Sequence, residues 1–107
     1  MRIHQFHKAS AAANQGEPME PTKNTVWVEC AASGSGAVNA TVQMKGRINA
    51  LSALQNIGSP VTISGTAAPG SPVTDSFQVN TGARFLYADL TSCSVLSFRA
   101  EGSEEQR

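Results

Sequence analysis

The sequence has no excess charge of either sign: eight basic residues balance eight acidic ones, spread along the chain. No electrostatic footprint therefore points to nucleic acid or to an anionic membrane surface. Aromatic residues are scarce at 6% of 107 positions, and charged residues reach only 15%. A chain so poor in long charged side chains cannot easily clothe the exposed faces of a helical bundle. No run approaches the roughly 20 apolar residues that span a bilayer. The N-terminal MRIHQFHKASAAANQGEPME also lacks the continuous apolar stretch of a secretory signal. The expectation is a soluble protein made in the cytoplasm, with neither nucleic acid nor membrane as partner.

Residues for chemistry are scarce too. Both histidines, His4 and His7, fall within the first seven positions. No serine or cysteine further along thus has a base placed beside it by the fold, and a nucleophile without such a base is weak at neutral pH. Two histidines on an unanchored segment make neither a closed nor an oriented metal site. Glu29, Asp75 and Asp89 lie on separate segments, and no spacing marks any two of them as an acid and base pair. The expectation is a non-enzymatic protein with no cofactor and no metal. Cys30 and Cys93 are 63 positions apart, as in an immunoglobulin-type bridge, but the only tryptophan, Trp27, precedes the first cysteine. With no export signal, two free thiols are expected.

What the chain does have is Gly, Ser, Thr, Ala and Val in short alternating stretches. TVWVECA at 25–31 puts Val26, Val28 and Cys30 on one face and Trp27 and Glu29 on the other. SGSG at 33–36 reads as a hairpin turn. AVNATVQMK at 37–45 is the clearest period-two signal, with Val38, Ala40, Val42 and Met44 inward. GRINALSALQNIG at 46–58 is ambiguous between a short helix and a loop leading to a strand, and its poor helix formers favour the loop.

Gly-Ser-Pro-Val-Thr occurs twice, at 58–62 and 70–74. Nothing on either side repeats, so this is turn chemistry, with each proline ending a connector just before a strand. VTISG then presents Val61 and Ile63 inward, and DSFQV presents Phe77 and Val79. In RFLYADLT and SVLSFRA, Leu86, Ala88, Leu90, Leu96 and Phe98 are assigned inward.

These segments predict an all-β fold, a small antiparallel sandwich or barrel of about six to eight short strands. The predicted domain is residues 25–100. Residues 1–24, where Ile3, Phe6 and Met19 are the only large apolar side chains, are expected to be a flexible N-terminal arm. That arm is either a mobile leader or a segment that orders on a neighbouring subunit through Ile3 and Phe6. Residues 101–107 form a polar, frayed tail. The partner-binding candidates are Ile3, Phe6, Trp27, Phe85 and Tyr87, the last three because alternation sets them on outer faces.

The order of ATVQMKG, LQNIGSPVTISGTA, TDSFQVNTGARFLYADLTS and SVLSF resembles the small β-sandwich structural proteins of tailed bacteriophage particles. The resemblance covers about residues 37–99 and contains no catalytic or ligand motif. It implies a capsid decoration or cement protein that sits on the virion surface, contacts the major capsid protein or another virion protein, and forms a dimer or trimer. The alternatives are a tail, neck or fibre module contacting a host receptor, and a carbohydrate-binding β-domain.

Overall fold

Alternation in the sequence becomes eight strands in the computed structural model, which describes residues 3–49 and 51–104. They are β1 (Ile3–Ser10), β2 (Thr25–Ser33), β3 (Gly36–Arg47), β4 (Gln55–Asn56), β5 (Val61–Ala67), β6 (Val73–Asn80), β7 (Phe85–Ser94) and β8 (Ser97–Ser103). One sheet runs β1-β8-β2-β6. In the other, β3 is central and pairs with β7, with β5 along Gly36–Val42 and with the short β4 at Lys45 and Gly46. Every pairing is antiparallel. This is the β-sandwich expected, and among the described residues there is no helix.

The core lies between the sheets. Val26, Val28 and Cys30 of β2 face Val38, Ala40, Val42 and Met44 of β3, all buried as their alternation predicts. Burying a Val, Leu or Phe side chain contributes about 1.5–3 kcal/mol, so this alternation is the main source of stability. Both Gly-Ser-Pro motifs end immediately before a strand, β5 at Val61 and β6 at Val73. Between them, Ala68 and Ser71 exchange backbone hydrogen bonds across Pro69 and Gly70. Gly70 has φ +78°, the left-handed position that a proline-led type II turn reserves for glycine.

Five expectations are corrected. The leader is not a flexible arm, because β1 pairs with β8 from Ile3↔Ser103 onward. After β1 the chain crosses to the other sheet and runs along the free edge of β7 as a strap. Met19 and Leu86 exchange N–H···O bonds at 2.8 Å, and the Leu90 amide donates to Asn14 O at 2.9 Å. The Glu17 amide donates back to Phe6 O at 2.9 Å, so the strap ties both sheets together. At Gly16, with φ +74°, a Cβ would stand 2.5 Å from Phe6 O, so only glycine lets the strap pass this close. The reading of a polar leader failed because three buried side chains, Phe6, His7 and Met19, are enough to anchor it when both sheets offer unpaired edges.

The C-terminal segment is not frayed through Glu104. Glu101 to Ser103 belong to β8, and the buried Glu104 carboxylate accepts from the backbone amides of Thr22 and Lys23, both at 2.6 Å. Residues 105–107 of the expected tail lie outside the described residues. SGSG is a passage between sheets rather than a hairpin, since β2 and β3 belong to different sheets. Leu96, assigned inward, is exposed in the β7–β8 connection, while Phe98 is buried as expected.

In the ambiguous 46–58 stretch, Gly46 and Arg47 close β3, and among the described residues no helix precedes β4 at Gln55–Asn56. Its Ile57 amide donates to Met44 O at 2.8 Å, and Gln43 Nε2 donates to Gly58 O at 3.2 Å. That connection covers Gln43, which alternation had put on the wet face.

Candidate functional site

Antiparallel register sets side chains in rows across a sheet, and on the outer face of β1-β8-β2-β6 one row reads Ile3, Ser103, Trp27, Gln78. Ile3 is 59% exposed and Trp27 50% exposed, on either side of the small Ser103. The next row reads Gln5, Glu101, Glu29, Ser76. Gln5 Nε2 donates to Glu101 Oε2 at 3.3 Å, while Glu29 stands directly opposite Glu101 on the neighbouring strand. A shallow groove of about 250 Å³ runs between the two rows, with Ile3 and Trp27 as its apolar wall and the two glutamates as its acidic one. Like charges paired across strands cost stability, so these two carboxylates do not serve folding.

Two of the five candidates are thus brought together, and three are not. Phe6 is only 1% exposed; its ring lies against Gly102, where a Cβ would stand 2.6 Å from Phe6 Cε2. It is a core residue of its own subunit and presents nothing to a neighbour. Tyr87 is 5% exposed because Arg47 folds over it, with the guanidinium 5.2 Å from the ring centre and Nη2 donating to the phenol oxygen at 2.6 Å. Phe85, partly buried, pairs with Arg47 in the opposite sheet, away from Trp27.

The sequence reading missed a second apolar surface at one end of the sandwich. Ile48 and Leu51 are exposed there beside a groove of about 390 Å³ between the β3–β4 and β6–β7 connections. The available signal was the threefold spacing of Ile48, Leu51, Leu54 and Ile57, which fits no strand and left some of them without a buried place.

Neither histidine is free to serve as a base in a cleft. His7 is buried, its Nε2 donates to Ala88 O at 2.6 Å, and Nδ1 accepts from the Ser10 hydroxyl at 2.9 Å. His4 Nε2 donates to Glu17 O at 3.0 Å. Among the described residues no three His, Cys, Asp or Glu side chains gather to hold a metal ion. Cys30 and Cys93 are both free thiols. Burial pushes the Cys30 thiol up to about 12, with smaller contributions from the charges of Asp75 and Glu29. Such a group is inert as a nucleophile.

The architecture defines a two-sheet antiparallel β-sandwich whose most exposed aromatic lies on a flat sheet face. That fold is similar to the crystal structure of the SPBc2 prophage-derived protein YomS, with a TM-score of 0.66 over 94% of this chain and 88% of that one, at 12% identity. No family model and no curated protein sequence matches the chain.

Proposed function

We propose that this chain is a non-enzymatic structural protein of a tailed bacteriophage particle. In the finer form of that reading, it is a decoration or cement protein that binds the assembled capsid shell from outside. The observation that carries it is the sandwich shared across nearly the whole chain with a prophage-derived protein. The order of strand motifs described from the sequence agrees with it independently.

The face presented to the major capsid protein is the Ile3 and Trp27 row, where a large aromatic and a branched aliphatic side chain stand exposed on a rigid sheet. Attachment acts by mass action: a protein that binds the assembled shell and not its free subunits stabilises the shell. Many copies, or a dimer or trimer, add avidity, so each contact can be modest.

The test is quantitative mass spectrometry of gradient-purified particles, counting this chain against the most abundant shell protein. A near whole-number ratio supports decoration, and a few copies per particle move the protein to the tail, neck or fibre. Absence from particles rejects the virion reading. Trp27→Ala and Ile3→Ser variants, both at exposed positions, should remain folded and lose attachment.

A second reading, a carbohydrate-binding surface, is favoured by the Trp27 indole standing beside Glu29 and Glu101 in one groove. It is checked by titrating glycans against Trp27 fluorescence, where an unchanged spectrum rejects it.

A further inference from the structure

The two sides of the sandwich are finished differently. On one side the strap from Asn14 to Met19 joins β1 to β7. On the other, β6 ends its sheet and, among the described residues, pairs with β2 alone. The Thr81 amide donates to Asn24 O at 2.8 Å, continuing the β2–β6 register by one step. Because successive residues turn their backbone groups to opposite sides, Val73, Asp75, Phe77 and Val79 bond to β2. Thr74, Ser76, Gln78 and Asn80 therefore turn theirs to the open edge.

Such an edge invites strand addition, and β6 suits a second copy of itself. Antiparallel pairing about Ser76 sets Thr74 against Gln78 on the wet face and Val73 against Val79 on the dry one. The strand is uncharged except at Asp75. At that position, which lies opposite the buried Cys30, the side chain leaves from the inner face and is nevertheless exposed. Its Oδ1 accepts from the Ser76 amide at 2.9 Å, so the central donor of the open edge is already taken. In the self-paired arrangement each Asp75 would also face Phe77 of the other copy, with the two carboxylates on neighbouring diagonals.

We propose that the β6 edge is a latent self-association surface and that Asp75 guards it, occupying the Ser76 amide and placing a charge where a second β6 would have to dock. This stands apart from the virion reading, since it concerns an edge and not the Trp27 face. Any homo-oligomer the protein forms is built elsewhere.

The test uses the full chain, comparing wild type with Asp75→Val and Asp75→Thr by light scattering over a concentration series, with amide exchange of β6 read by NMR. The expected result is a doubling of mass relative to wild type in both variants, at least about tenfold tighter than any wild-type association through this edge. The Ser76 and Gln78 amides should then exchange more slowly. Adding Ser76→Pro, which removes an edge amide and no ladder bond, should reverse the doubling. If Asp75→Val does not fold, Asp75→Thr carries the test, as a polar β-branched residue at an exposed strand position.

Three results would overturn the proposal: variants with wild-type mass and exchange, a doubling that survives Ser76→Pro, or a wild type whose Ser76 and Gln78 amides are already protected by self-association.

Discussion

His7 and Ala88, 81 positions apart, are joined by a buried hydrogen bond of 2.6 Å from the imidazole Nε2 to the carbonyl oxygen. Ala88 lies on β7 between Leu86 and Leu90, the two residues whose amides bond to the strap. Its carbonyl faces the same edge, and the His7 side chain supplies the donor that the strap does not. An edge strand of one sheet thereby satisfies an edge strand of the other.

Replacing that donor tests its worth. His7→Leu puts an apolar side chain of comparable bulk in its place and leaves Ala88 O buried and unpaired, at a cost of about 1–3 kcal/mol. Urea unfolding monitored by circular dichroism should show a lower midpoint. An unchanged midpoint would mean that the bond contributes nothing.

Removing residues 1–19 should abolish cooperative folding rather than free a sandwich from its leader. The deletion takes Phe6, His7 and Met19 out of the interior and uncovers the edges of both β8 and β7. Dispersed amide resonances in the truncated protein would contradict this.

Glu104→Ala should destabilise by about 2–3 kcal/mol, since a buried carboxylate that accepts two backbone amides makes charge-assisted bonds. The measurable sign is a lowered Tm with unchanged strand content. Local exposure of the Thr22 and Lys23 amides should accompany it in hydrogen exchange.

The Cys30 thiol predicts a pH dependence. Its folded value, about 12, lies above the ordinary 9.0, so the unfolded chain loses this proton first as pH rises. Stability is therefore unaffected by this group below pH 9 and falls progressively between pH 9 and 12. Cys30→Ala should flatten that decline in a pH series of urea midpoints. At neutral pH a thiol reagent should label the partly exposed Cys93 and reach Cys30 only on unfolding.

The sequence discloses whatever obeys period two. Val38 to Met44 of β3 and Val26 to Cys30 of β2 could be read because one face of each is uniformly apolar. Irregular registers hid the rest. In β1 the register shifts between Gln5 and His7, and Phe6 and His7 are both buried although adjacent, so no alternation marks them as core. In β7 the step from Thr41↔Ser92 to Val42↔Leu90 leaves Thr91 as an extra residue. That bulge reverses the faces, which is how Cys93 packs against the core two positions after a residue on the opposite count.

The candidate surface was half legible, for a different reason. Alternation correctly put Trp27 outside, but only the long-range order β1-β8-β2 brings Ile3 to within one strand of it. Tyr87 and Phe85 obeyed the same local rule, and Tyr87 was then covered by Arg47, a tertiary contact that no local pattern encodes.

The pairing of β1 with β8 also governs when this domain can fold during synthesis. Ile3 meets Ser103, and β8 lies between β1 and β2 in their sheet. Until β8 leaves the ribosome, β1 lacks the strand it pairs with in its own sheet. The nascent chain must therefore hold Ile3 and Phe6 in solution while the roughly seventy residues from β2 to β7 are made. The small and polar residues between β1 and β2, from Ala11 to Asn24, then help keep the waiting segment soluble.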